Sequence, residues 1–263
     1  MKLSRAIALG IACSLVAIGG ASAMSAKTPA ATPTVFVNPS GTLTVSAASS
    51  LTDVLPVIAT AFKKRFPKVT VKFNFGGSSA IVEQINAGAP VDVLATASES
   101  TMAKAVAAGT AVDPILFAKN AMAIAVPTGN PAHVTGLTDL ASPGVLVAIC
   151  DFSVPCGSAA RDLFRKAGSN VIPVTREFDV RMVLGKVMAD EVDAGIVYVT
   201  DVKSAGPMIT SISIPSALNV STNYPVATVQ ASGNPVAAKA FVQYLRYSFT
   251  SQGILQAYGF TKP

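Results

Sequence analysis

The feature that most constrains this chain is a repeated alternation of short apolar segments with segments of helical periodicity. Leu43–Ala47 reads as a buried strand, and Leu51–Phe66 as a helix with Val54, Leu55, Ile58 and Phe62 at helical spacing. Val69, Val71, Phe73 and Phe75 alternate as in a strand; Ser79–Ala87 is helical and stops at Gly88. Val91–Ala95 is a short strand, and Ser98 caps a helix that ends at Gly109. A second series begins with a strand over Ala121–Val126, closed by Pro127. A strand over Val145–Ile149, helices over Gly157–Ala167 and Val180–Ala189, and an apolar strand over Gly195–Val199 follow. Val226–Val229 begins a return, and the chain finishes with helices near Val236–Ser248 and Gln252–Tyr258. Repeated βα units predict an α/β fold, with parallel sheets flanked by helices.

The N-terminus lies outside this pattern. Lys2 and Arg5, the apolar stretch Ala6–Gly20 and the small residues Ala21-Ser22-Ala23 read as an export signal over residues 1–23. The apolar stretch falls short of the roughly 20 residues a spanning helix needs. Lipidation at Cys13 and membrane tethering stay open. Residues 24–41, rich in Pro, Thr, Ala and Ser, read as a flexible tether. The formal charge of +6 falls by two, to +4, once Lys2 and Arg5 leave. The basic residues are scattered apart from Lys63-Lys64-Arg65, which suits the solvated end of a helix. With no Trp, this pattern argues against nucleic-acid binding. Two cysteines survive signal removal, Cys150 and Cys156, and an even pair in an exported chain favours a disulfide. The alternative is two separate buried thiols. Two Cys and the distant His133 fall short of a zinc site.

Ligands of open α/β sheets bind beyond the carboxyl ends of the strands, where helices begin. Three such turns, Ser46–Leu51, Asn74–Ser79 and Val154–Ser158, offer hydroxyls, glycines and helix-start N–H groups, with no Lys or Arg among them. A fourth is Phe178–Arg181. Helix N-termini attract anions, and glycines let the backbone approach them closely. Taken singly, Ser50 and Ser79 read first as ordinary N-caps; three such turns in one chain favour a binding role. Catalytic signatures are weak: no serine sits in G-x-S-x-G, no carboxylates pair as acid and base, and His133 lies in a Pro/Gly-rich loop. Asp151, Asp179 and Asp201 fall near the expected end, where capping or surface roles suffice.

The stretches TVSAASSLTDVLPVIATAFKKRFP, NFGGSSAIVEQINAGAPVDVLATAS, SVPCGSAARDLF, FDVRMVLGKV, DAGIVYVTD, NYPVAT and the terminal YGF occur in an order and spacing that resemble the molybdate-binding proteins of bacterial ABC transporters. The resemblance covers nearly all of the chain beyond the tether. It implies a two-lobed type II periplasmic binding protein fold, each lobe a sheet flanked by helices, with the ligand in the cleft. Lobe I would combine residues 42–120 and 224–263, and lobe II residues 121–223. It further implies a tetrahedral oxyanion, molybdate or tungstate, held by the hydroxyls of Ser50, Ser78 and Tyr198 and by backbone N–H groups at Cys156 and Val180. By residue pattern alone, Tyr198 reads as a core residue. Two departures stand out: Gly76-Gly77 replace bulkier or polar residues, and Cys156 stands where Ala is common. The implied partners are a membrane permease and its ATPase. The resemblance implies no cofactor, no metal ligands, no enzymatic activity, a monomer, and a location in the periplasm or on the outer face of the cytoplasmic membrane. The alternatives are a sulfate or phosphate receptor and an enzyme using Cys156 as nucleophile.

Overall fold

A computed structural model describes residues 38–263. The expected signal at residues 1–23 and most of the tether lie outside the described residues; Gly41, expected to end the tether, opens the first strand. That strand, β1 (Gly41–Ala48), lies between β2 (Val69–Gly76) and β3 (Val93–Ala95), parallel to both. The helices α1 (Val54–Arg65), α2 (Ser78–Asn86) and α3 (Glu99–Ala107) follow these strands in turn. Leu43, Val45 and Ala47 of β1 pack on Leu55, Ile58 and Phe62 of α1, the residues whose helical spacing marks its inner face. Ser98 caps α3 by accepting from Thr101 N–H at 3.2 Å. Lys63, Lys64 and Arg65 form the exposed last turn of α1.

The chain then crosses on one long strand, β4 (Ala111–Pro127). Its first half pairs antiparallel with β9 (Ser221–Val229), itself antiparallel to β3. Its second half pairs with β7 (Ala194–Tyr198) and β8 (Ile209–Ile212). Only Ala121–Val126 of β4 is legible as a strand in the sequence, because Asp113 and Pro114 interrupt the apolar pattern where a register irregularity falls. In the second half of the sheet, β5 (Val147–Cys150) runs parallel to β6 (Thr175–Glu177) and β7. The helices α4 (Pro155–Ala167), α5 (Val180–Met188) and α6 (Val199–Ala205) start where these three strands end. The helices α7 (Pro235–Tyr247) and α8 (Phe249–Ala257) return to pack on the first half.

The strand order β2-β1-β3-β9-β4-β7-β5-β6, with β8 on β4, gives one sheet path over two main cores and a smaller third. One main core gathers Leu43, Phe62, Phe117, Tyr224 and Phe241, the other Ile124, Val147, Leu163, Val183 and Val197; the third gathers Ile81, Leu94, Met102 and Ala227 under α2 and α3. The result is the expected α/β fold, with helices flanking both halves of the sheet. The carboxyl ends of β1, β2, β5, β6 and β7 all feed turns that face the space between the two main cores.

Candidate functional site

Those five strand-to-helix turns, joined by Ala97 of the turn after β3, line one small cavity of about 10 Å3. The lining includes Ser50, Ser78, Cys156, Val180 and Tyr198, all five of the positions singled out from the sequence. Each is at most 5% exposed, so a bound guest would be almost wholly removed from water. The lining holds no Lys or Arg side chain. A roomier hollow of about 400 Å3 lies elsewhere, walled by Met102, Val106, Leu116 and other mainly apolar groups. It offers few polar atoms to orient a ligand, and the five turns do not reach it.

Ser50 sits in a 3-10 turn, Ser49–Leu51, and caps nothing: its Oγ lies 2.9 Å from the Tyr224 hydroxyl. Ser78 is the first residue of α2, and its Oγ accepts from Ala97 N–H at 3.1 Å. Ser79, also a candidate for a cap, instead donates its hydroxyl to the Ser153 carbonyl at 2.9 Å, across the cleft. The first α2 amide bonded one turn back is Ile81 N–H, to Gly77 O at 3.1 Å; those of Ser78, Ser79 and Ala80 precede it.

On the opposite wall, Cys156 is joined to Cys150 by a disulfide, so its sulfur is not a free thiol. Ser158 N–H reaches Val154 O at 2.9 Å, leaving the Cys156 and Gly157 N–H groups ahead of the first helical bond. Gly157 is required there, since a Cβ would overlap the carbonyl oxygens of Cys150 and Asp151. At α5, Asp179 Oδ1 accepts from Arg181 and Met182 N–H at 2.8 and 3.1 Å. This cap turns its carboxylate onto its own helix and leaves the Val180 N–H before it. A Cβ on Gly77 would overlap the Phe178 carbonyl, so the first and second walls touch only because that position is bare.

Tyr198 ends β7, and its hydroxyl finds no hydrogen-bond partner among the described residues. Burial, with Tyr224 close by, pushes its phenol well above the usual value, so it stays protonated and able to donate. The sequence places Tyr198 in the core by its apolar surroundings, and it is 1% exposed. Its unpartnered hydroxyl is what separates it from an ordinary buried tyrosine.

Three surrounding residues complete the wall. Asp201, for which the sequence suggests a capping or surface role, is fully buried and does cap: it accepts from Tyr198 N–H, the N-cap amide of α6, at 3.0 Å, and it pairs with Arg181 Nε at 3.0 Å. The pair is an ionic contact outside hydrogen-bond alignment. Burial raises the Asp201 carboxyl to about 6, against the opposing pull of Arg181. Arg181 also bonds Asp53, on the far side of the cleft. Its charge is therefore neutralised by two carboxylates. Asn120 donates to Thr200 Oγ1 at 2.8 Å and to the Tyr224 hydroxyl at 3.3 Å. The partners of Asn120 lie 80 and 104 residues away in the chain, and Arg181 and Asp53 are 128 apart, so no local spacing could reveal these contacts. Of the sequence's other candidates, His133 is an exposed loop residue, and Asp151 binds Ser153 N–H and Oγ within its own turn.

Comparison with known proteins agrees with this architecture. The sequence pattern of the family described as bacterial extracellular solute-binding protein matches residues 43–261. The molybdate-binding protein ModA of Mycobacterium tuberculosis is 35% identical over 259 residues, 97% of this chain and 99% of the relative. The ModA of Escherichia coli is 33% identical over 233 residues, 84% of this chain and 89% of the relative. The periplasmic molybdate-binding protein of Azotobacter vinelandii shares the fold with a TM-score of 0.74 at 19% identity, over 84% of this chain and 99% of that one. The chain belongs to the bacterial extracellular solute-binding protein family.

Proposed function

We propose that this protein captures molybdate or tungstate outside the cytoplasm and delivers it to an ABC permease and its ATPase. The observation that carries the reading is the convergence of five strand-to-helix turns on one small, buried cavity without a cationic side chain. Such a cavity suits a compact, fully deprotonated oxyanion held by neutral donors. Ser50, Ser78 and Tyr198 would donate hydroxyls, and Cys156 and Val180 backbone N–H groups, to its four oxygens. A guest bearing its own proton would bury a donor without an acceptor, at a cost of roughly 1–3 kcal/mol. The ModA relatives, which are solute-binding proteins, support the same ligand class.

Residues 42–120 with 224–263 would form one lobe and 121–223 the other, closing on the ligand by a hinge at the crossover strands. Residues 1–23 would serve export and 24–41 would tether the lobes, the mature protein acting as a monomer with no cofactor. A Cys156 nucleophile finds no support, because its sulfur is committed to Cys150. Titration calorimetry with molybdate, tungstate, sulfate and phosphate tests the reading. Tight binding of the first two alone is expected; equal binding of sulfate, or none of molybdate, would overturn it.

A further inference from the structure

The stretch NYPVAT contributes none of the five groups aimed at the guest, yet its tyrosine is fully buried beside the cavity. Tyr224 packs edge-on against Phe117, Tyr198 and Phe260, and its hydroxyl touches Ser50 Oγ at 2.9 Å. The direction of that hydrogen bond follows from the next partner. Asn120 Oδ1 accepts from Ala121 N–H at 3.0 Å, which fixes the amide so that its NH2 faces Tyr224 and Thr200. Tyr224 oxygen accepts from that NH2, and its single proton is then free only for Ser50. Ser50 Oγ accepts it, leaving its own proton to point elsewhere.

We propose that Tyr224, oriented by Asn120, is a positioning residue that holds the Ser50 hydroxyl as a donor into the cavity and so restricts the guest to fully deprotonated oxyanions. The chain of donation runs from Asn120 NH2 to Tyr224 OH to Ser50 OH to guest. Ser78 is polarised the same way by a different group: a backbone N–H, that of Ala97, can only donate, so the Ser78 proton also points away from it. Without Tyr224 the Ser50 hydroxyl can rotate and present a lone pair, which is what a protonated anion such as hydrogen phosphate requires.

The inference rests on the oxyanion reading above, and Tyr224→Phe tests it while keeping the ring that packs the core. Calorimetry at about pH 8 would compare the parent, Tyr224→Phe, Ser50→Ala and the double variant with molybdate. Loss of one hydrogen bond that aligns a donor predicts about fivefold to tenfold weaker binding for Tyr224→Phe. In the Ser50→Ala background the same change should cost less than about twofold, because the hydroxyl it positions is gone. Competition adds the specificity readout: a smaller excess of hydrogen phosphate should displace half the bound molybdate from Tyr224→Phe than from the parent. Additive losses in the double variant, unaltered molybdate affinity, or an unchanged phosphate excess would overturn the proposal. A parent that binds no oxyanion would overturn the underlying reading and the proposal with it.

Discussion

Asp201 shows how one residue couples the cavity wall to solvent pH. It is fully buried, holds Tyr198 N–H and Arg181, and feels Asp53 and Asp179 as well. Its carboxyl is raised from 3.8 to about 6, chiefly by loss of hydration, with Arg181 opposing. The folded protein thus binds the proton more tightly than the unfolded chain. The contribution of this group to stability is fully present below 3.8 and is lost as pH rises through about 6. Between pH 7.5 and 5.5 the parent should therefore gain about 1 kcal/mol relative to Asp201→Asn, whose amide cannot titrate. Urea denaturation of both proteins at the two pH values measures this difference. An equal change in both would mean that the pairing with Arg181 keeps the carboxylate charged throughout. The capping role of Asp201 was legible in the sequence, but its burial and its ion pair were not, because Arg181 comes from another helix.

At the scale of elements, the sequence was informative wherever apolar spacing and turn residues agreed. The strands β1, β2, β5 and β7 and the helices α1 to α5 fall within a few residues of their expected places. The short β6 and β8 and the seven-residue α6 were missed because each is too brief to show a period. The donor turns were legible one by one, but their convergence depended on the sheet order, which crosses between the halves on β4 and β9. Two glycines in these turns predict opposite outcomes. Gly157→Ala places a Cβ against carbonyls of its own turn, so it should destabilise the free protein by about 1–3 kcal/mol. Gly77 has an extended backbone, φ −62° and ψ 128°, that any residue adopts, and its added Cβ would meet only the opposite wall, at Phe178 and Asp179. Gly77→Ala should leave the ligand-free melting temperature nearly unchanged while weakening oxyanion binding at least about tenfold, or 1.4 kcal/mol. Melting curves and calorimetry on the two variants would separate a turn that must be narrow to fold from one that must be narrow to close.

The whole molecule has to open for a guest to enter, since the five lining positions are nearly inaccessible as the lobes now stand. Closure is held by few contacts besides any guest. Ser79 reaches Ser153 across the cleft, and Arg181 reaches Asp53 while its other edge is held by Asp201. The second contact has the clearer consequence, because Arg181 directly follows Val180, one of the proposed donors. On the proposed reading, ligand capture at Val180 and ion pairing at Asp53 would be made by the same helix start in the same movement. Asp53 and Arg181 keep side-chain exposures of 38% and 26%, so water screens the pair and its worth is about 0.2–1 kcal/mol. Asp53→Asn removes the attraction while Asp201 continues to hold Arg181 in place. Molybdate should then dissociate up to about fivefold faster, with association little changed, because the pair forms only once the lobes have met. Stopped-flow displacement of bound molybdate by excess tungstate reads the release rate directly. A release rate equal to that of the parent would show that the guest alone holds the lobes together. A slower association would instead place Asp53 in the opening step rather than in the closed state.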